Sequence, residues 1–272
     1  MNVGVVVILR NADEIDSIFK HPHDLGFGHC QLICWNTELF TKEIADEVIA
    51  ACKKYDMKIS TFWCGWSGPT AWNFTEGPQT LGLVPDCYRF QRMQELCCGS
   101  DFAKLIGVDK VATHVGFMPE NPSTEQYRSV VAAIRVVAQH CKANGQYFLF
   151  ETGQETPVTL LRTIQDVGTG NLGINLDPAN LILYGKANPI DALDVFGKYV
   201  MDVHAKDGFY PTDGNNLGNE AKVGEGKVNF PLLLARLKEL GYEGTVTIER
   251  EISGEQQTID IIDTKKYLEE II

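Results

Sequence analysis

No stretch of this 272-residue chain approaches the roughly 20 consecutive apolar residues that a membrane-spanning helix needs. The opening "MNVGVVVILRNADE" has only a short apolar run and no basic flank, which argues against a secretion signal. Basic residues are scarce: 24 Lys and Arg stand against 36 Asp and Glu, a formal charge of −12. A nucleic-acid partner, whose binding rests on a basic footprint, is therefore not expected. No Cys-x-x-Cys pair of zinc type occurs, and the eight cysteines, the last of them Cys141, are scattered rather than spaced as a disulfide framework. Taken together, these absences predict a reduced, cytoplasmic protein. No Pro- or Ser-rich linker divides the chain, so one domain over residues 1–272 is expected.

What is present is an alternation. Short apolar, β-branched runs recur, each followed by a longer segment of helical period. The strand candidates are residues 3–9, 30–35, 58–64, 110–117, 146–151, 172–177, 199–205 and 244–249. Among the helices, "STEQYRSVVAAIRVVAQHCKANG" offers Ser123 and Gln126 as a capping box. Tyr127, Val130, Val131, Ile134, Val137, Ala138 and Cys141 form its apolar face, and Gly145 its terminator. In "NFPLLLARLKELGY", Phe230, Leu233, Leu234, Leu237 and Leu240 form one stripe before Gly241. Repeated βα units at this length predict an α/β protein, a single (β/α)8 TIM barrel. A doubly wound sheet would usually show a Gly-rich fingerprint after its first strand, and "ILRNADE" is not one.

Barrel active sites lie at the carboxyl ends of the strands. Four successive strands end in hard-metal ligands: Glu151 in "FLFETGQE", Asp177 in "INLDPAN", His204 in "MDVHAKDG" and Glu249 in "VTIERE". Any one of these carboxylates serves equally well as a helix cap or an ion-pair partner. Converging on one axis, three carboxylates repel one another unless a cation sits between them. Three oxygens and an imidazole, with no thiolate, suit Mn2+, Mg2+ or Co2+ better than structural zinc. Glu251 lies on the same strand face as Glu249 and rivals it as fourth ligand.

Other strand ends contribute His114, Trp35 and Asn36. His114 is either a group that hydrogen-bonds a sugar hydroxyl or a buried histidine satisfied by backbone. The segment 63–85, with Trp63, Trp66 and Trp72 among glycines and prolines, reads as a lid over the mouth, as a satellite hydrophobic cluster, or as both. Within "DVHAKDG", alternation turns His204 and Asp202 toward the axis, and Lys206 is expected at the rim, paired with Asp207 or Glu251 or aimed at a substrate oxygen. Gly224 and Gly226 after the seventh strand suit either phosphate binding or a tight turn. Without an arginine cluster, an unphosphorylated substrate is favoured.

The order Glu, Asp, His, Glu at strands five to eight resembles the xylose isomerase-like barrel superfamily. Within it, the closer likeness is to the sugar phosphate isomerase/epimerase group that includes D-tagatose 3-epimerase-type enzymes. The motifs are "FETGQE", "NLDPAN", "VHAKD", "VGEGKVNFPLLLARLKELGYEGTVTIERE" and, more loosely, "THVGF". The resemblance implies one divalent cation on Glu151, Asp177, His204 and Glu249. It further implies acid/base duty for Glu151 and Glu249, and a small carbohydrate substrate handled by proton transfer through an ene-diolate. His114, Lys206, Trp66, Asn180, Trp35 and Glu251 are the candidate substrate contacts, and homo-oligomerisation is open.

The chain departs from those epimerases in two places. Pro178, Ala179 and Asn180 stand where they tend to have a substrate-binding histidine, and the strand-seven loop has lysines, Lys206 and Lys222, but no arginine. A keto-sugar or keto-inositol dehydratase of the same barrel family and a non-catalytic sugar-binding barrel are the alternatives. The apurinic endonucleases of this barrel hold three zinc ions with many histidines. Six histidines and the acidic charge argue against that activity.

Overall fold

The computed structural model describes residues 1–272 and shows the eight expected strands closed into one barrel. They are β1 (Asn2–Leu9), β2 (His29–Cys34), β3 (Lys58–Cys64), β4 (Lys110–Thr113), β5 (Tyr147–Glu151), β6 (Leu172–Leu176), β7 (Val200–Ala205) and β8 (Thr245–Ile248). Every neighbouring pair is parallel, and β1 closes on β8 through Asn2 opposite Thr245. The long helices are α1 (Ile15–Asp24), α2 (Lys42–Lys54), α3 (Asp86–Leu105), α4 (Glu125–Ala143), α5 (Pro157–Val167), α6 (Pro189–Phe196), α7 (Phe230–Glu239) and α8 (Glu255–Ile271). None is long and apolar enough to cross a membrane.

The main core of 60 buried residues includes the outward faces of the strands and the helix faces packed on them; Val203 and Ala205 belong to it. The barrel interior is different. Gln31, Thr61, Asn175, Asp202, His204 and Thr247 are all fully buried polar groups. Asp202 accepts hydrogen bonds from Ser60 and Thr61 of β3, which does not adjoin β7, so its carboxylate crosses the interior, below the level of His204, as alternation requires.

Local expectations shift in three places. The side chain that caps α4 is Thr124, which accepts from Tyr127 N, rather than Ser123. Leu240 is 42% exposed, because α7 has ended before it and the chain turns through Gly241 at φ +81°. The fourth strand stops at Thr113 rather than running to 117, because Gly116 takes φ +93° and Val115 O accepts from Leu83 N of the incoming loop.

Candidate metal centre at the barrel mouth

The ends of β5 to β8 bring Glu151, Asp177, His204 and Glu249 together, with one potential ligand atom from each lying within 4.8 Å of all the others. His204 Nδ1 lies 3.3 Å from Glu249, 3.5 Å from Glu151 and 3.6 Å from Asp177. Two of these buried atoms, His204 Nδ1 and Asp177 Oδ2, have no hydrogen-bond partner. Asp177 does both jobs open to it: Oδ1 accepts from Asn180 N at the start of the short helix Pro178–Leu183, which leaves Oδ2 facing the cluster. Thr152 ties the two loops, donating to Asp177 O at 2.7 Å and accepting from Asp177 N at 2.9 Å.

Glu151 is held on both oxygens. Trp63 Nε1 donates to Oε2, while His114 Nε2 lies 3.3 Å and Asn180 Nδ2 3.4 Å from Oε1. Of the two glutamates after β8, Glu249 joins the cluster and the Glu251 side chain stays outside it, 58% exposed. Lys206 departs from the rim position expected of it. It is 2% exposed, drawn inward by Glu251 at 2.9 Å, Glu249 at 3.1 Å and Asp177 at 3.6 Å. It makes no pair with Asp207. That carboxylate instead accepts from the backbone N–H groups of Gly208, Gly224, Gly226 and Val228 and folds the loop around itself. The two glycines are thus accounted for by the turn.

At Glu249, Glu151 and His204 burial opposes the charge, and the neighbours overrule it. Desolvation would lift the Glu249 carboxyl, yet Lys206 and His204 hold it well below the ordinary carboxylate range. Glu151 is likewise lowered, against burial, by His114 and His204. Burial alone would depress the His204 imidazole, but Glu249 and Glu151 raise it well above its usual value. A positive charge is favoured at Nδ1. Of the cluster's three carboxylates only Glu249 and Asp177 reach a lysine, and Nδ1 and Oδ2, neither of them hydrogen-bonded, face each other, so the residues present fit a divalent cation of the oxygen- and imidazole-preferring kind.

Beside the cluster opens a cavity of about 690 Å³, within the range of small-molecule sites. Trp35, Trp63, Thr70, Trp72, His114, Glu151, Asn180, Lys206, Glu249 and Glu251 are on its wall, together with Arg10 at the end of β1. The aromatic segment divides in two. Trp72, 40% exposed, lines the cavity 5.1 Å from the His114 ring. Trp66 does not line it: at 3% exposure it packs with Ile33, Trp63, Leu81, Ala112 and Leu149, because the Arg92 guanidinium lies against its ring and fixes the loop by donating to the carbonyls of Ser67, Pro69, Thr80 and Gly82. Of the two, it is Trp72 and not the expected Trp66 that stands on the cavity wall. Glu155 was not among the expected site residues. It is 2% exposed with neither oxygen partnered, and burial pushes its carboxyl up to about 7. The only sequence signal for it is its place in "ETGQET".

A parallel (β/α)8 barrel with Glu, Asp, His and Glu at the ends of β5 to β8 defines a class of protein, and comparison with known proteins agrees with it. The chain belongs to the xylose isomerase-like TIM barrel family, which it matches over residues 19–271. It is similar to a xylose isomerase domain protein from Planctomyces limnophilus, with 32% identity, TM-score 0.91, and coverage of 100% of this chain and 98% of that one. A D-tagatose 3-epimerase-like protein shares the fold at 20% identity and TM-score 0.75, covering 100% of this chain and 97% of the other. An uncharacterized protein of Methanocaldococcus jannaschii is 33% identical over 119 residues, 43% of this chain; the match spans only 37% of that relative's length.

Proposed function

We propose that this barrel is a divalent-metal-dependent sugar isomerase or epimerase that moves a proton on the carbon next to a ketose carbonyl. The observation that carries the reading is the convergence of Glu151, Asp177, His204 and Glu249, with Nδ1 and Oδ2 buried and unpartnered, beside a cavity walled by tryptophans. Those four residues would hold Mn2+, Mg2+ or Co2+. When bound there, the ion supplies Lewis acidity that polarises a carbonyl and acidifies the adjacent C–H.

The side chains do the rest. Glu151 comes from β5 and Glu249 from β8, with β6 and β7 between them, so the two carboxylates reach the cavity from different sides. One accepts the proton and the other returns one, to the opposite face for epimerisation or to the next carbon for isomerisation. Trp63, His114 and Asn180 restrict Glu151 to one orientation. Lys206 offers an ammonium to the developing oxyanion, and the faces of Trp35 and Trp72 suit the apolar side of a sugar ring while excluding water.

The test has two arms. Titration of the wild-type protein with Mn2+ should give about one site per chain, lost in Asp177→Ala and His204→Ala. Incubation of the loaded protein with a panel of ketoses in D2O should then place deuterium beside the carbonyl. Metal binding without any exchange would reduce the protein to a sugar-binding barrel, and no stoichiometric binding would overturn the reading.

A further inference from the structure

The two ring nitrogens of His204 meet different surroundings. Nδ1 faces the three carboxylates, whereas Nε2 points the other way, 2.7 Å from Oε1 of Gln31 on β2. Asn175 on β6 completes the group. Its Nδ2 lies 3.1 Å from the same Nε2, and its Oδ1 accepts from Gln31 Nε2 at 3.4 Å; a ring nitrogen has one in-plane proton or lone pair, so Nε2 serves Gln31 or Asn175 and not both, and the shorter contact is to Gln31. All three residues are at 0% exposure, and β2 does not adjoin β7, so the contact spans the barrel interior. Gln31 sits between Cys30 and Leu32, which belong to the outer core, and it does not line the cavity. Burying an amide in this position is unfavourable unless its polar atoms are used.

The geometry points to Gln31 as the positioning residue that sets the tautomer of His204, accepting Nε2–H so that the Nδ1 lone pair is presented to the cation; the inference rests on the metal reading above. A neutral imidazole carries one proton. On Nδ1, that proton would turn the ring into a donor toward Glu249, Glu151 and Asp177 and abolish it as a ligand. On Nε2, it is taken by the nearest acceptor, the Gln31 carbonyl, and Nδ1 is left free. A second hydrogen bond of this kind fixes ring orientation and raises ligand basicity in metal sites generally.

The experiment compares the wild-type chain with Gln31→Met, which keeps the length but cannot accept at that point, and Gln31→Glu, which restores an acceptor. Mn2+ affinity should fall 10- to 100-fold in Gln31→Met and return to within about threefold of wild type in Gln31→Glu. With histidine nitrogens labelled and Mg2+ bound, NMR should show the His204 Nε2–H proton shifted downfield and slow to exchange in the wild type, as a hydrogen-bonded N–H is, and both features lost in Gln31→Met. Unchanged affinity and Nε2–H signal in Gln31→Met, or equal losses in both variants, would reduce Gln31 to a packing residue and overturn the inference. Wild-type protein that binds no Mn2+ would instead overturn the metal reading beneath it. Should Gln31→Met fail to fold, the same signal in the Mg2+-loaded wild type decides: a hydrogen-bonded Nε2–H supports the assignment and a freely exchanging one overturns it.

Discussion

The ammonium of Lys206 lies 2.9 Å from the carboxylate of Glu251, although Lys206 is buried and the Glu251 side chain is 58% exposed. Glu249 at 3.1 Å and Asp177 at 3.6 Å complete its surroundings, and burial notwithstanding they raise its pKa well above the ordinary lysine value. It is the one lysine or arginine in contact with the carboxylate cluster. Removing one partner of a buried charge group costs about 3–5 kcal/mol. Lys206→Met should therefore lower the melting temperature of metal-free protein substantially, and saturating Mn2+ should close much of the gap by supplying the missing charge. Turnover should still fall, with kcat/KM reduced more than about tenfold if the ammonium meets a substrate oxygen. Scanning calorimetry with and without Mn2+, beside steady-state kinetics, checks both. A melting deficit indifferent to metal, with kcat/KM close to wild type, would leave Lys206 a structural cation.

The division of the aromatic segment gives a contrast between two tryptophans. Trp72 lines the cavity beside His114 and is partly exposed, so Trp72→Ala should depress kcat/KM by roughly tenfold and leave the melting temperature nearly unchanged. Trp66 is buried under the wall, and Trp66→Ala should cost about 3–5 kcal/mol of stability. Thermal melts and kinetics on the two variants separate these outcomes. Equal effects on stability would mean that the cavity wall and its support are one packed unit.

The strands and the four converging residues were legible because their signals are local. Each strand is a short apolar run; Glu151, Asp177 and Glu249 fall at or just past the last residue of one, and His204 falls one residue before it. Alternation alone leaves Lys206 at the rim, because it fixes the side of the strand and not the depth. Its burial comes from three carboxylates on other parts of the chain. Trp66 and Trp72 stand in the same loop with the same composition; only the Arg92 hydrogen bonds to four carbonyls decide which of them is tucked in. Gln31 carried no signal at all, since a single glutamine in an apolar run acquires meaning only when the barrel closes and brings β7 opposite.

Glu155 provides a pH dependence outside the four converging residues. Burial raises its carboxyl from an ordinary value of 4.5 to about 7, with neither oxygen partnered. The folded state therefore binds this proton more tightly than the unfolded chain does. Its contribution to stability is fully present below about 4.5 and is lost as pH rises through about 7. A shift of this size corresponds to at most roughly 3 kcal/mol. Glu155→Gln, which keeps the neutral shape, should melt near the wild-type temperature at pH 5 and above it at pH 8. A melting difference of the same size at both pH values would show that Glu155 does not titrate between them.

The loop after β7 is built on Asp207, whose carboxylate accepts four backbone N–H groups, including those of Gly224 and Gly226. Gly226 has a specific steric reason to be glycine: a Cβ there would stand 2.1 Å from Asp207 Oδ1 and 2.5 Å from Gly208 N. Neither atom is free to retreat, because the carboxylate is held from four sides. Gly226→Ala should thus expel the carboxylate and cost about 2–3 kcal/mol, and Asp207→Ala should cost about as much by leaving buried N–H groups unpaired. The two losses should not add. Asp207→Ala removes the nearer of the two atoms with which the new methyl collides and frees the loop to shift away from Gly208 N, so the double variant should be more stable than the sum of the single losses by more than about 1 kcal/mol. Urea denaturation of the wild type, both single variants and the double variant measures that coupling. Strict additivity would mean that the glycine serves the turn alone and that the carboxylate is not what shapes the loop.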